Sequence, residues 1–391
     1  MKKLIKTLFL FILTALLAGS SFASTQEQDK SYFPEFSWDR VPVCIHLCKR
    51  RDNFTEDEAK FLARFPVICI EKQQALFKYK TIERGTEIAA AQIKKYNENS
   101  KILFYWNSRI DYGSLYNTGF ILRQNPDWTL KDLDGEFVTV PWGNIRIYDM
   151  TKEEVRSWWL AKAKEYANMP NIDGFFVDAT IQYIANIKTQ EARFGKEKTK
   201  ELVASLDILL EELRKQNPNK FTITNSLHGR TKVIEDMGVS VYKHTDGSMI
   251  EHFCDLMGRD KDAIVNDISL IQDAAKRGKS VVVKGWPSFN FTKRKTYEHR
   301  PYEDLVAQAK EEIVFPLAAY LVAAGEYSYF CYSWGYNASD GGMVDYDEYN
   351  KPLGKPLAEA TKDGYIYTRE FEHASVWVDV ENRQGKIDWK N

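Results

Sequence analysis

Two acidic residues sit where acid and base chemistry would need them. The run Ile172-Asp173-Gly174-Phe175-Phe176-Val177-Asp178 places a carboxylate directly after a buried-strand pattern, with no charge partner nearby in the sequence. Gly247-Ser248-Met249-Ile250-Glu251-His252-Phe253 repeats the arrangement, and strand alternation puts Met249 and Glu251 on one face with Ile250 on the other. Such an acid is either catalytic or a cap for the following helix, a position that Asp favours. Asp178 and Glu251 are read as the catalytic pair. Asp173 is read as a turn residue with Gly174, and Asp246 and Asp255, with more polar neighbours, as solvated or capping. Two carboxylates converging from separate strands are the minimum equipment for cleaving a glycosidic bond. One protonates the leaving oxygen, and the other attacks the anomeric carbon or activates water.

Polar and aromatic residues at the ends of the other apolar runs complete a candidate site. Asn107, Asn225, His228 and Lys284 could hydrogen-bond sugar hydroxyls, and Trp106, Trp286, Tyr332 and Trp334 could stack on sugar rings. Glu71 belongs with the substrate-binding set or, with His46, in an internal polar network. The aromatic load, 22 Phe, 21 Tyr and 10 Trp, exceeds what a core needs and suits a ring-lined cleft.

Other chemistries lack their signatures. The sequence has no phosphate-cradling glycine loop, no Gly-x-Ser-x-Gly elbow, no His-Glu-x-x-His helix and no calcium loop, so no cofactor and no metal is called for. With 54 basic against 55 acidic residues the net charge is -1, which argues against a nucleic-acid partner. Five cysteines, Cys44, Cys48, Cys69, Cys254 and Cys331, all fall in apolar segments and read as buried free thiols rather than a disulfide scaffold. Cys44, His46 and Cys48 alternate along one strand face, and small inward barrel residues explain them better than a metal site, since no second ligand pair has zinc spacing. The glycosylation-type triplets at Asn53, Asn290 and Asn337 are short enough to arise by chance.

The elements that would hold these residues alternate regularly. Strand-like runs occur at residues 41–48, 66–71, 101–107, 174–178, 221–225, 248–251, 280–284 and 327–332, mostly separated by amphipathic stretches. Thr55 with Glu58 and Thr151 with Glu154 have capping-box spacing, and Gly278 and Gly325 close helical segments. Eight strands each followed by a helix predict an α/β fold, a (β/α)8 TIM barrel, whose active site lies at the C-terminal strand ends. A long excursion at 112–150, rich in turn signals and Trp, is expected to fold over the mouth. Short alternating runs at 365–371, 375–380 and 386–389 predict a small antiparallel β appendage. The chain divides into a signal peptide at 1–23, a catalytic barrel at 24–354 and the appendage at 355–391. Lys2, Lys3 and Lys6, an apolar run at 8–17 and Ser21-Phe22-Ala23 form an export signal cleaved near Ser24, which predicts a secreted or periplasmic protein without stable membrane insertion. Nothing in the sequence fixes an oligomeric state.

Several motifs resemble a known family. Asn125-Pro126-Asp127-Trp128 with Asp134-Gly135, Tyr148-Asp149-Met150-Thr151 leading into Glu154-Val155-Arg156, the strand from Asp173-Gly174 to Asp178, and Leu353-Gly354-Lys355-Pro356 before a β tail are similar to the bacterial TIM-barrel glycosyl hydrolases, in particular hypothetical glycosyl hydrolase family fifteen. The resemblance spans roughly residues 42–380 and implies a (β/α)8 barrel, a carbohydrate substrate and carboxylate catalysis, in a layout shared with α-galactosidases and α-amylases. There the fourth strand carries the nucleophile, which maps onto Asp178. The proton donor follows strand five or six; strand five here ends in Asn225, so the donor maps onto Glu251. The leading expectation is a glycoside hydrolase acting on a polysaccharide or its oligosaccharides. The alternatives are a carbohydrate-binding barrel without catalysis, and a polysaccharide lyase using His228 or Tyr332 as base beside Lys284.

Overall fold

The computed structural model describes residues 30–255 and 260–390; the export-signal segment lies outside them. Residues Tyr32–Asn391 form one compact unit. Eight parallel strands follow one another in sheet order: β1 (Cys44–Leu47), β2 (Val67–Ile70), β3 (Lys101–Asn107), β4 (Gly174–Asp178), β5 (Phe221–Asn225), β6 (Gly247–Phe253), β7 (Ser280–Gly285) and β8 (Ser328–Tyr332). A parallel bridge between Val43 and Phe330 brings β8 back to β1, and the expected TIM barrel is what the chain forms. The runs are rich in Val, Ile, Phe and Tyr because both strand faces are buried, one on the helices and one in the barrel.

Helices α1 (Glu56–Leu62), α2 (Ile82–Lys94), α3 (Glu153–Ala167), α4 (Lys196–Gln216), α5 (Lys261–Lys276), α6 (Tyr302–Glu312) and α7 (Val314–Ala323) supply most of the outer layer, while the crossover from β5 to β6 carries a 3₁₀ segment, Val239–His244. Thr55 and Glu58 form the expected capping box on α1. Thr151 does not cap α3; its hydroxyl bonds Asp149 Oδ1 at 2.6 Å instead, and Lys152 takes the cap position. The excursion also departs from expectation. It is a hairpin-like arm, bridged Thr129 to Tyr148 and Thr139 to Arg146, whose Trp128 and Tyr148 pack on Trp158 of α3, outside the barrel. Tyr112, at its start, does reach the mouth beside Lys72.

The appendage has four antiparallel strands, one more than expected: β9 (Thr361–Asp363), β10 (Ile366–Glu370), β11 (Ala374–Asp379) and β12 (Gln384–Trp389). Its alternating Ala374, Val376 and Val378 are buried, as period-two patterning requires, and Gly385 of β12 lies close against Phe315 and Ala318 of α7. Among the described residues no helix is long and apolar enough to cross a membrane.

Candidate active site

Strand alternation decides which side chains enter the barrel. An inner cluster of Cys44, Val67, Cys69, Leu103, Tyr105, Phe176, Phe221, Ile223, Met249, Val282, Tyr329 and Cys331 fills its lower and middle layers. One step further along the same faces come His46, Glu71, Asn107, Asp178, Asn225, Glu251 and Lys284. These polar groups form the uppermost layer. All five cysteines are free and buried, as the composition suggested.

Asp178 and Glu251 meet in that layer. Both side chains are half-buried, and one amide joins them: Asn225 Nδ2 donates to Asp178 Oδ1 at 3.1 Å and to Glu251 Oε2 at 2.8 Å. An amide nitrogen has two hydrogens set about 120° apart, so acceptors at those two distances lie about 5 Å from each other.

The remaining lone pairs of both carboxylates are also served. The Tyr105 hydroxyl and Asn107 Nδ2, the latter at 3.2 Å, donate to Asp178 Oδ2. Asn107 is oriented for this because its Oδ1 accepts from the backbone amides of Arg109 and Ile110. Ala179, in the left-handed region with φ of 65°, turns the chain sharply out of β4 directly after Asp178. The Tyr336 hydroxyl donates to Glu251 Oε1 at 2.6 Å, and the Trp286 indole N–H donates to the Glu251 backbone oxygen at 2.6 Å. Burial pushes the Glu251 carboxyl up, yet the His252 charge and the Tyr336 and Asn225 donors outweigh it and hold the group below its ordinary value. Glu71, buried at 3% exposure, is likewise held down, because the Lys72 charge and a 2.7 Å bond from His46 Nε2 outweigh desolvation. The Lys72 ammonium pairs with Glu71 and lies 4.4 Å from the Tyr105 ring centroid.

The other expected site residues divide. Asn107 and Asn225 join the carboxylates, with their amides directed at the acids. Glu71 and His46 form the internal network. Trp286 is at the mouth, but at 4% exposure its ring is taken up by His252, Lys284 and Phe291, so it props Glu251 and offers no open stacking face. Lys284 is fully buried and bonds the Ser333 carbonyl and hydroxyl at 2.8 and 2.6 Å, with burial pulling its ammonium down to about 8. It supports the loop after β8 and does not present itself to a sugar.

Three aromatic assignments are corrected. Trp106 follows the inward Tyr105 and so points outward, stacked on Trp159 of α3 at 5.6 Å. Tyr332 follows the inward Cys331, packs on Phe330 and donates to Ala309 of α6 at 3.2 Å. Trp334 is 1% exposed between Phe289 and Tyr302. His228 is a fourth correction: its ring bonds Arg230 at 3.0 Å, within its own loop. Asp246 and Asp255, expected to be solvated or capping, are instead buried at 2% and 7% exposure, Asp255 3.5 Å from His252, and Asp173 is structural. Asp173 accepts from the Ile102 amide and pairs with Lys94, and Asp246 pairs with Arg214 and accepts from the Thr222 amide, both at the N-terminal end of the barrel. Asn290 and Asn337 spend their side chains on capping Thr292 and bonding Asp340, which leaves neither offered to a glycan.

Missed in the sequence were Tyr105, Lys72, Tyr336, His252 and Phe291. Tyr105 was legible, since it shares a face with Asn107, and Lys72 adjoins Glu71. Tyr336 lies in a loop after β8, and Phe291, 41% exposed and packed on Trp286 and Tyr336, had no local signal.

Residues 94–375 match the profile of hypothetical glycosyl hydrolase family 15. The chain belongs to that family. Membership makes it a glycoside hydrolase in the general sense of the family's description. Among solved structures it is similar to the glycoside hydrolase domain of PelA from Pseudomonas aeruginosa, at 13% identity over 74% of this chain and 94% of that one, with a TM-score of 0.42. An α-amylase from Geobacillus thermoleovorans aligns at 10% identity over 88% and 87% of the two chains, TM-score 0.45. A maltogenic α-amylase from Thermotoga neapolitana aligns at 9% over 88% and 86%, TM-score 0.48. No curated protein matches the sequence.

Proposed function

We propose that this chain hydrolyses glycosidic bonds in a polysaccharide or its oligosaccharides with retention of configuration, Asp178 acting as nucleophile and Glu251 as acid and then base. The observation that carries the reading is the shared amide of Asn225, which implies carboxyl oxygens about 5 Å apart, in the range of retaining enzymes and short of the 6.5–9.5 Å that an inverting enzyme needs to seat a water. In the first step an Asp178 oxygen attacks the anomeric carbon while the Glu251 proton passes to the departing oxygen. Water then attacks the glycosyl ester, losing its proton to Glu251, and Asp178 leaves as the carboxylate.

Glu251 is held low in the free site, so it must gain its proton as substrate binds. Burial already pulls it upward, and a sugar that fills the mouth strengthens that pull by excluding water. The alkaline limb of kcat/KM, which reports the free enzyme, is therefore expected at lower pH than that of kcat, which reports the complex. The lyase alternative has lost its bases, since Tyr332 faces the helices and His228 its own loop. The mature protein is proposed to start near Ser24, to act in the periplasm or outside the cell, and to comprise the barrel of residues 24–354 and the appendage of 355–391.

The test is release of reducing ends from a panel of plant, algal and host glycans, with ultraviolet absorbance read in parallel. Asp178→Asn and Glu251→Gln should each lower kcat by about 10³-fold or more with the fold intact, and proton NMR of the first product should show the substrate's anomer. A fully active Asp178→Asn protein would end the assignment, and the opposite anomer would end retention.

A further inference from the structure

Three side chains in five residues at the end of β6 lie in a row. His252 Nε2 is 3.9 Å from Glu251 Oε2, and His252 Nδ1 is 3.5 Å from Asp255 Oδ2. The ring cannot swing freely. It stacks on Trp286 with centroids 5.8 Å apart and planes 20° from parallel, and the same indole anchors the Glu251 backbone. An imidazole between two carboxylates, lying flat on an indole whose N–H holds the neighbouring carbonyl, is a built arrangement. Neither gap is a full hydrogen bond, so the coupling runs through charge.

We propose that His252 is the positioning residue that governs when Glu251 carries its proton, with Asp255 and Trp286 holding its ring at a fixed distance from that carboxyl. The inference rests on the assignment of Glu251 as acid and base.

The coupling is electrostatic. An imidazole is charged across the acidic range in which carboxyls titrate, and an opposite charge within about 4–6 Å favours the ionised carboxyl by 1–3 pH units. Other groups face Glu251 from every neighbouring element: Asp178 from β4, Asn225 from β5, Lys284 from β7 and Trp286 directly after it, Tyr336 from the loop after β8, and Lys72, paired with Glu71, from the turn after β2. Lys72 is charge-balanced by Glu71, and Lys284 is held by Ser333 beneath Trp286. Among the charges acting on Glu251, that of His252 does most to hold its carboxyl below the ordinary value. At 25% and 35% side-chain exposure the pair is reached by solvent, which places the effect at the lower end of the range, about one pH unit.

The consequence for turnover follows the proton. In the free site the charge on His252 favours the ionised form of Glu251. When an incoming sugar dries the mouth, burial favours the protonated carboxyl and Glu251 takes up its proton. Its proton leaves with the departing group, and in the second step the Glu251 carboxylate, favoured by the His252 charge, takes the proton of the attacking water.

The experiment reads the free protein and needs no substrate. Glutamate labelled with ¹³C at the carboxyl would be followed by NMR through an acid titration, the Glu251 signal being the one that disappears in Glu251→Gln. His252→Phe, which keeps a flat ring on Trp286 without charge, and His252→Gln, which tolerates a half-exposed site if Phe does not, should each raise the Glu251 midpoint by about one pH unit, a tenfold gain in proton affinity. His252→Lys should leave it within about 0.3 unit of wild type. A midpoint unmoved in the uncharged variants overturns the inference, whatever happens to activity. Failure of the functional reading shows separately, as an active Glu251→Gln enzyme.

Discussion

Asn225→Ala removes the donor that both acids share, and the structure sets the size of the loss. Asn225 is 7% exposed and its Nδ2 makes charge-assisted bonds of 2.8 and 3.1 Å, each ordinarily contributing about 1.5–3 kcal/mol. Both acceptors are half-buried and regain some water in the variant, so about 1–2 kcal/mol per bond is the appropriate share, or about 2–4 kcal/mol for the pair. At a factor of ten per 1.36 kcal/mol, kcat/KM should fall about 30- to 1,000-fold. A second effect follows from charge. Two carboxylates about 5 Å apart repel by about 3 kcal/mol at an effective dielectric of 20, and without the amide the pair should bind a proton more readily. Asp178 keeps Tyr105 and Asn107 as donors, whereas Glu251 keeps Tyr336, so the gain in proton affinity should appear chiefly on Glu251. The assay is kcat/KM against pH on whichever glycan releases reducing ends, with circular dichroism as the folding control. A folded Asn225→Ala enzyme within about threefold of wild type, with its alkaline limb unmoved, would refute the claim that this amide positions the pair.

Two further outcomes follow from the barrel interior. Lys284 has its folded value lowered from 10.5 to about 8, so the unfolded chain binds more protons between those limits and the group's contribution to stability rises with pH across that window; chemical denaturation of wild type minus Lys284→Met should show a relative gain of about 3 kcal/mol from pH 8 to pH 10.5, and a flat difference would contradict the burial of its charge. Trp106→Phe should lower stability by about 1–3 kcal/mol through lost packing on Trp159 while leaving kcat/KM unchanged, and a rise in KM without loss of stability would return Trp106 to the substrate.

Much of the barrel was legible because both faces of a parallel strand are buried, which leaves uninterrupted apolar runs bounded by polar residues. The runs at 101–107, 174–178 and 221–225 coincide with β3, β4 and β5. The two acids were legible for the same reason, as polar residues that end such runs. The stacking partners failed on parity. Reading the last residue of a strand selects Trp106 or Tyr332 as readily as Asn107 or Asp178, but only alternate residues enter the barrel, and Tyr105 and Cys331 already occupy that face. Counting back from Asp178 through Phe176, and across to Asn107 and Tyr105 of the paired strand, recovers the inward face from sequence order alone. The donor Tyr336 and the rim residue Phe291 could not be recovered in this way, because loops have no period.

Pairing within the inward face keeps such a layer in place. His46, Glu71, Asn107, Asp178, Asn225, Glu251 and Lys284 crown an interior otherwise filled by apolar residues and thiols, and desolvating five ionisable groups of this kind works against folding unless each is paired. Pairing is what the structure provides: Glu71 with His46 and Lys72, Lys284 with Ser333, and the two acids with amide and phenol donors. A barrel selected for stability alone would do better with Val and Leu in these places, since replacing a buried charged network by packed apolar groups is often stabilising. The donors around Asp178 and Glu251 fix where two negative charges sit relative to each other. That separation, held by a neutral amide, is the property a sugar-cleaving site requires and a structural core does not.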